Sequence, residues 1–244
     1  MQALLPGEKI CPLLTRMGAD PLISEDGRKA LKEKLITTDQ LRYCSKEILS
    51  CLVTNNGRQA LREGLITIER AKNIQGKDLQ NSFYESENLR MLQLLLSNNG
   101  LTALRLQLIK TNQIGKDMCS SWLKNLTSDK GLKVLKEKLI TLDQVQTLRW
   151  QKADMLISEN GLEALMERLI TFDQATQLDR VKLYYAVSEN GRKALEAKLM
   201  TIDDMRYMDS EIIEVLIEEN GRKALEEKLI TLDKVKEFKP SQVE

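Results

Sequence analysis

The chain has no histidine. It therefore lacks the side chain that most often moves protons near neutral pH and most often supplies nitrogen to a metal. Aromatic residues make up only 4% of 244 residues, which leaves little to stack against bases and weakens any case for single-stranded nucleic acid. Four prolines and twelve glycines are few helix breakers for this length. The cysteines Cys11, Cys44, Cys51 and Cys119 are scattered and form no CxxC pair. That argues against a disulfide framework or a zinc site and for reduced thiols packed as small apolar groups. No segment approaches the roughly 18 consecutive apolar residues of a membrane span. The start, MQALLPGEKICPLL, has neither the basic beginning nor the apolar stretch of a signal peptide. Charge of one sign is missing too: 37 basic against 36 acidic residues give a net +1. Attraction to nucleic acid or an anionic membrane is not the default expectation.

What the chain does have is 42% hydrophobic and 30% charged residues, the balance of a folded protein. Its length exceeds a typical core of about 100–200 residues, so two domains or a repeat array is expected. Self-similarity decides for the array. SENGLEALMERLITFDQ, from Ser158, returns as SEDGRKALKEKLITTDQ from Ser24, TNNGRQALREGLITIER from Thr54 and SNNGLTALRLQLIKTNQ from Ser97. SDKGLKVLKEKLITLDQ from Ser128, SENGRKALEAKLMTIDD from Ser188 and EENGRKALEEKLITLDK from Glu218 complete seven copies. The marker glycines Gly27, Gly57, Gly100, Gly131, Gly161, Gly191 and Gly221 are spaced by 30, 43, 31, 30, 30 and 30 residues. The long interval is one period plus a 13-residue insertion.

Two helix starts can be read in each unit. In Ile140, Thr141, Asp143 and Gln144, the threonine is an N-cap and the glutamine reaches back to close a capping box. Thr37 with Gln40, and Thr171 with Gln174, repeat it, and Asp39, Asp143 and Asp173 suit the positive end of the helix dipole. At Ile157 to Gly161 two readings compete. Ser158 caps a new helix, or Asn160-Gly161 ends the preceding one in a left-handed turn. The following stripe Ala164, Leu165, Leu169 is the apolar face of a helix of about three turns. Ser45 and Asp209-Ser210 resemble internal caps, which predicts three short helices per unit, two of them sometimes fused. Such helices are marginal alone and must pack on neighbouring repeats. The expected fold is all-α: a right-handed α-solenoid of about seven repeats over 22–235, with a cap over 1–21, an insertion near 72–88 and a tail over 236–244.

No chemical motif stands out. Glu33, Glu63, Glu137, Glu167 and Glu227 recur at one place in five units, where a catalytic group is needed once. They read as a solvated ladder with Lys34, Lys138, Arg168, Lys198 and Lys228. There is no phosphate loop or dinucleotide fingerprint, and no catalytic residue, metal site or cofactor is expected. Arg28, Arg58, Arg192 and Arg222 follow the marker glycine and would form an anion-attracting edge, unless each pairs with a nearby glutamate; Leu101, Leu132 and Leu162 interrupt the row. Trp150, Tyr184 and Tyr185 fall on helices, where packing competes with exposure; Trp150 and the four arginines are candidate protein-binding residues. Phe83 and Tyr84 fall in the insertion, which is expected to emerge as a loop on a binding face. They are a protein-binding anchor there or a cover for the joint between the second and third units.

The phrase NGRxALxEKLITxDQ resembles short α-helical repeats of Legionella-type effectors, proteins passed into host cells by type IV secretion. The resemblance covers about residues 22 to 235. It implies a virulence protein found in the bacterial cytoplasm and then the host cytosol, with the solenoid as a platform for a host protein. The expected function is thus a non-catalytic protein-binding scaffold. The alternatives are an RNA-binding helical repeat, which near-zero net charge disfavours, and an enzyme of unrecognised type.

Overall fold

The computed structural model describes residues 20–37, 40, 44–74, 82–114 and 118–236. The expected N-terminal cap up to residue 19, with Cys11, lies outside them, as do Asp39 and the tail beyond 236. Every regular element among the described residues is helical: eighteen α-helices and two short 3-10 turns, with no strand. None of these helices is long and apolar enough to cross a membrane.

Seven of the helices carry the marker glycine, and each is eight residues long: Glu25–Lys32, Asn55–Arg62, Asn98–Arg105, Asp129–Lys136, Glu159–Met166, Glu189–Glu196 and Glu219–Glu226. In six of them Ser24, Thr54, Ser97, Ser128, Ser158 or Ser188 is the N-cap. Its oxygen accepts the glycine N–H at 3.0–3.2 Å. Asn160 and Gly161 thus lie inside the new helix, and the reading that made them the end of the preceding one is overturned. The hydroxyl has a second task. It donates to the carbonyl three residues earlier, at 2.5–2.7 Å for Ser24, Thr54, Ser97, Ser158 and Ser188. One side chain so ties the last turn of one helix to the first turn of the next. The glycine follows from this tight junction. A Cβ at Gly161 would lie 2.3 Å from the Met155 carbonyl oxygen and 2.4 Å from that of Leu156. Its role is close approach, not an unusual φ.

All seven helices also end alike. Lys34, Gly64, Gln107, Lys138, Arg168, Lys198 and Lys228 have positive φ, between 55° and 66°. In each, this residue's N–H and the next one's bond back to the third-last and fourth-last carbonyls of the turn: Lys138 to Leu135 at 3.1 Å and Leu139 to Val134 at 3.0 Å, for example. This is a Schellman motif. It normally uses glycine, because a side chain in the left-handed region costs about 1–2 kcal/mol. Here only Gly64 is glycine. The repeated basic residues are solvent-exposed, as expected, but their position is a helix stop.

The turn leads into the capping boxes. Thr141, Thr171 and Thr201 cap Leu142–Thr147, Phe172–Gln177 and Ile202–Tyr207, closed by Gln144, Gln174 and Asp204. In the third unit Lys110 stands where the threonine would. A 3-10 turn, Thr111–Gln113, replaces the helix. Leu148, Leu178 and Met208 then turn extended, so the next helices, Trp150–Leu156, Arg180–Val187 and Ser210–Ile217, are separate and not fused. Their counterparts are Lys46–Leu52 and Ser120–Leu126. Ser45 and Asp209 cap two of these helices as the sequence suggested.

Residues 75–81 of the insertion lie outside the described residues, and its later part departs from expectation. Ser82–Leu95 is a 14-residue helix, not a loop. The segment SFYESENLRMLQLL has no proline or glycine to stop it, so the third helix of its unit simply starts earlier. The chain divides into two compact units, 1–127 and 128–244, and the cut falls between the third and fourth repeats. Within each unit the third helices pack against the next glycine helix, and Asn55–Arg62 packs on Asn98–Arg105 as Asp129–Lys136 does on Glu159–Met166. Ala30, Ala60, Ala103, Val134, Ala164 and Ala194, at one place in six units, are fully buried.

Candidate functional site

The arginines after the marker glycine do not form an open edge. Arg58 is only 7% exposed. Its guanidinium donates to the carbonyl of Val53, the C-cap of the preceding helix, at 2.6 Å and to Asp26 of the previous unit at 2.7 Å. A cation at a helix C-terminus that also meets a carboxylate satisfies both orphan carbonyl and charge. Arg222 repeats the arrangement with the Ile217 carbonyl and with Asn190 at 3.0 Å. Arg192 pairs with Glu163 at 2.7 Å and Glu167 at 3.5 Å. Leu101, Leu132 and Leu162 are buried at the same place. At this position Arg58, Arg192 and Arg222 therefore face the previous repeat. Only Arg28, in the first unit, is exposed. Glu33 and Glu63 are likewise drawn into inter-repeat pairs, with Arg62 at 2.5 Å and Arg105 at 2.6 Å.

Phe83 and Tyr84 lie on the 82–95 helix, but their side chains are outside the described residues. Among the described residues, other groups tie the second unit to the third. Glu87 accepts the N–H of Ser120 at 2.5 Å, capping from a neighbouring helix a start where Cys119 makes no side-chain cap. Arg70 reaches the carbonyls of Thr111 and Ile114.

Trp150 is different: it is 65% exposed, at the start of its helix. Trp150–Leu156, Arg180–Val187 and Ser210–Ile217 pack side by side, so equivalent positions form rows. Their outward positions are unit-specific. Tyr184 stands where the sister units have Asp154 and Glu214, and Val181 where they have Gln151 and Glu211. Tyr184 is 56% exposed, and Val181 and Val215 are exposed beside it in the register. Its ring meets Tyr185 edge to face at 5.7 Å. A hydrogen bond to Glu214, followed by burial, pushes the Tyr185 hydroxyl above its ordinary pKa. Tyr207, 75% exposed, replaces Thr147 and Gln177. Arg206 lies over its ring at 5.4 Å and bonds Gln177 at 2.8 Å, which holds the ring in a defined place. Sequence reasoning missed Tyr207, Val181 and Val215. For Tyr207 and Val181 the available signal was a large apolar residue at a position that is polar in sister repeats; Val215, whose counterparts are Met155 and Tyr185, carried no such signal.

These rows give rigid, amphipathic anchors with little entropy to lose. Among the described residues no group of three metal-ligating side chains comes together. The carboxyls held below their ordinary pKa, such as Glu63 beside Arg105 and Glu163 beside Lys130, belong to ion pairs. Burial pushes the Cys44 and Cys51 thiols upward, away from the reactive thiolate form. No family model matches the chain, and neither a curated protein nor a solved structure matches it.

Proposed function

We propose that this chain is a non-catalytic interaction scaffold whose seven units form a right-handed α-solenoid. One observation carries the reading. Most repeated positions are committed to caps, turns and inter-repeat ties, whereas Trp150, Tyr184 and Tyr207 break the repeat and stand exposed. Exposed aromatics on a rigid frame are the usual energetic centres of protein interfaces. The likeness of the repeat phrase to effector repeats supports a host protein as the partner and delivery into the host cytosol. An RNA-reading repeat is disfavoured, because Arg58, Arg192 and Arg222 are engaged within the chain.

The test replaces Trp150, Tyr184 and Tyr207 together by serine and compares quantitative affinity capture from host lysate with the parent chain. All three side chains are exposed, so the thermal midpoint should hold. Proteins enriched on the parent should drop to background on the variant. Equal recovery on both would remove this surface as the interface.

A further inference from the structure

The sequence ENGRKALE occurs twice, as Glu189–Glu196 and Glu219–Glu226. In the first copy Gly191, Ala194 and Leu195 are buried. In the second no residue is. Identical chemistry thus differs only in what lies on top. The same holds just beyond the helix. Leu35, Leu65, Leu108, Leu139, Leu169 and Leu199 are half-buried, whereas Leu229 is 73% exposed. The seventh unit presents, open, the face that the other units keep covered.

The start of the described chain has the complementary shape. The 3-10 turn Asp20–Leu22 packs on Glu25–Lys32, and a Cβ at Gly27 would meet Pro21 O at 2.2 Å. Gly57 meets Cys51 O in the same way at 2.3 Å. Asp20–Leu22 therefore occupies the place of a third helix's last turn. The charges match as well. Arg58 to Asp26, Arg62 to Glu33, Arg105 to Glu63, Arg192 to Glu163 and Arg222 to Asn190 all run from a base in the later unit to an acid or amide in the earlier one. Lys130, which bridges Glu159 and Glu163, runs the other way. By register, Arg28 and Lys32 are the later-unit bases of the first unit, and Asn220 and Glu227 the earlier-unit partners of the seventh. All four are exposed.

We infer that the open face of the seventh unit takes the first unit of a second copy of this chain, so that copies add head to tail. Glu227 then meets Lys32, as Glu33 meets Arg62, and Leu229 is covered. Such an interface joins two different surfaces and does not close on itself at two copies. It does not depend on the aromatic rows of the proposed binding surface, and it needs no partner protein.

Sedimentation velocity of the purified full chain over a wide concentration range tests it. The weight-average mass should climb past that of a dimer, with at least about a twofold rise. Leu229→Lys should hold the chain at monomer mass. Glu227→Lys should weaken the rise, and adding Lys32→Glu to the same chain should restore it, because the reversed pair meets again between copies. All three sites are exposed, so circular dichroism of the variants should match the parent. Four outcomes overturn the inference. The parent could stay monomeric throughout, as it would if its own residues cover the face. It could stop at a closed dimer. Its association could ignore Leu229→Lys. The reversed pair could fail to rescue.

Discussion

Two glycines show how one residue type serves opposite needs. Gly161 sits inside a helix, where alanine would ordinarily gain about 1 kcal/mol. Its missing Cβ is filled by the backbone carbonyls of Met155 and Leu156, which cannot rotate aside. Gly161→Ala is therefore expected to lose about 1–3 kcal/mol net, as overpacking does, seen as a lower urea midpoint. A stabilised variant would show that the junction can yield. Gly64 has nothing within 4 Å of a built Cβ, but its φ is +66°. Gly64→Ala should cost about 1 kcal/mol through the backbone alone. Lysine at Lys34, Lys138, Lys198 and Lys228 already carries that cost, which the two Schellman bonds and the half-burial of the following leucine offset in most units.

The helix junction is the element on which each unit turns, and it rests on one hydroxyl. Ser158 accepts from Gly161 and donates to Met155, so Ser158→Ala removes two bonds and should cost about 1–2 kcal/mol. The seventh unit supplies a natural comparison, because Glu218 stands at the N-cap of Glu219–Glu226 but its side chain accepts no cap bond from that helix. Glu218→Ser should gain about 0.5–1 kcal/mol and slow amide exchange across Glu219–Glu226; unchanged exchange would mean the hydroxyl does not govern this junction. The sequence was legible wherever the cause is local. The serine caps, the Thr141 and Thr171 boxes and the break at Asp209 all involve residues within one turn. Where the cause lies across space it was not. Gly161 is explained by carbonyls of another helix, Arg58 by a residue 32 positions away, and the left-handed turns were hidden because lysine stands where glycine would have flagged them. The aromatic rows were half legible. Trp150 was picked out, but Tyr207 was overlooked although sister repeats carry Thr147 and Gln177 at its place.

Across the whole molecule, charge is balanced in number and ordered in place, and that order should govern how acid unfolds it. Lys130, and then Arg192, hold the Glu163 carboxyl below its ordinary value of 4.5. Arg105 and Gln59 do the same for Glu63. A carboxyl whose folded pKa lies below its unfolded one adds stability above the unfolded value and loses it as pH falls through the folded one. With no histidine in the chain, little should titrate from about pH 6 to 8, so the urea midpoint should be flat there. It should then fall once the pH drops below about 4.5, as the paired carboxyls protonate. Glu163→Gln removes one such group from between Lys130 and Arg192. Because the pair is partly solvated, the loss at neutral pH should stay under about 1 kcal/mol. The diagnostic is convergence: the parent and Glu163→Gln midpoints should differ at pH 7 and draw together as the pH falls through the lowered pKa of Glu163, below which its carboxyl is itself neutral. If the difference persists undiminished in acid, the side chain contributes by packing and the ordered ion pairs do not set the acid limit.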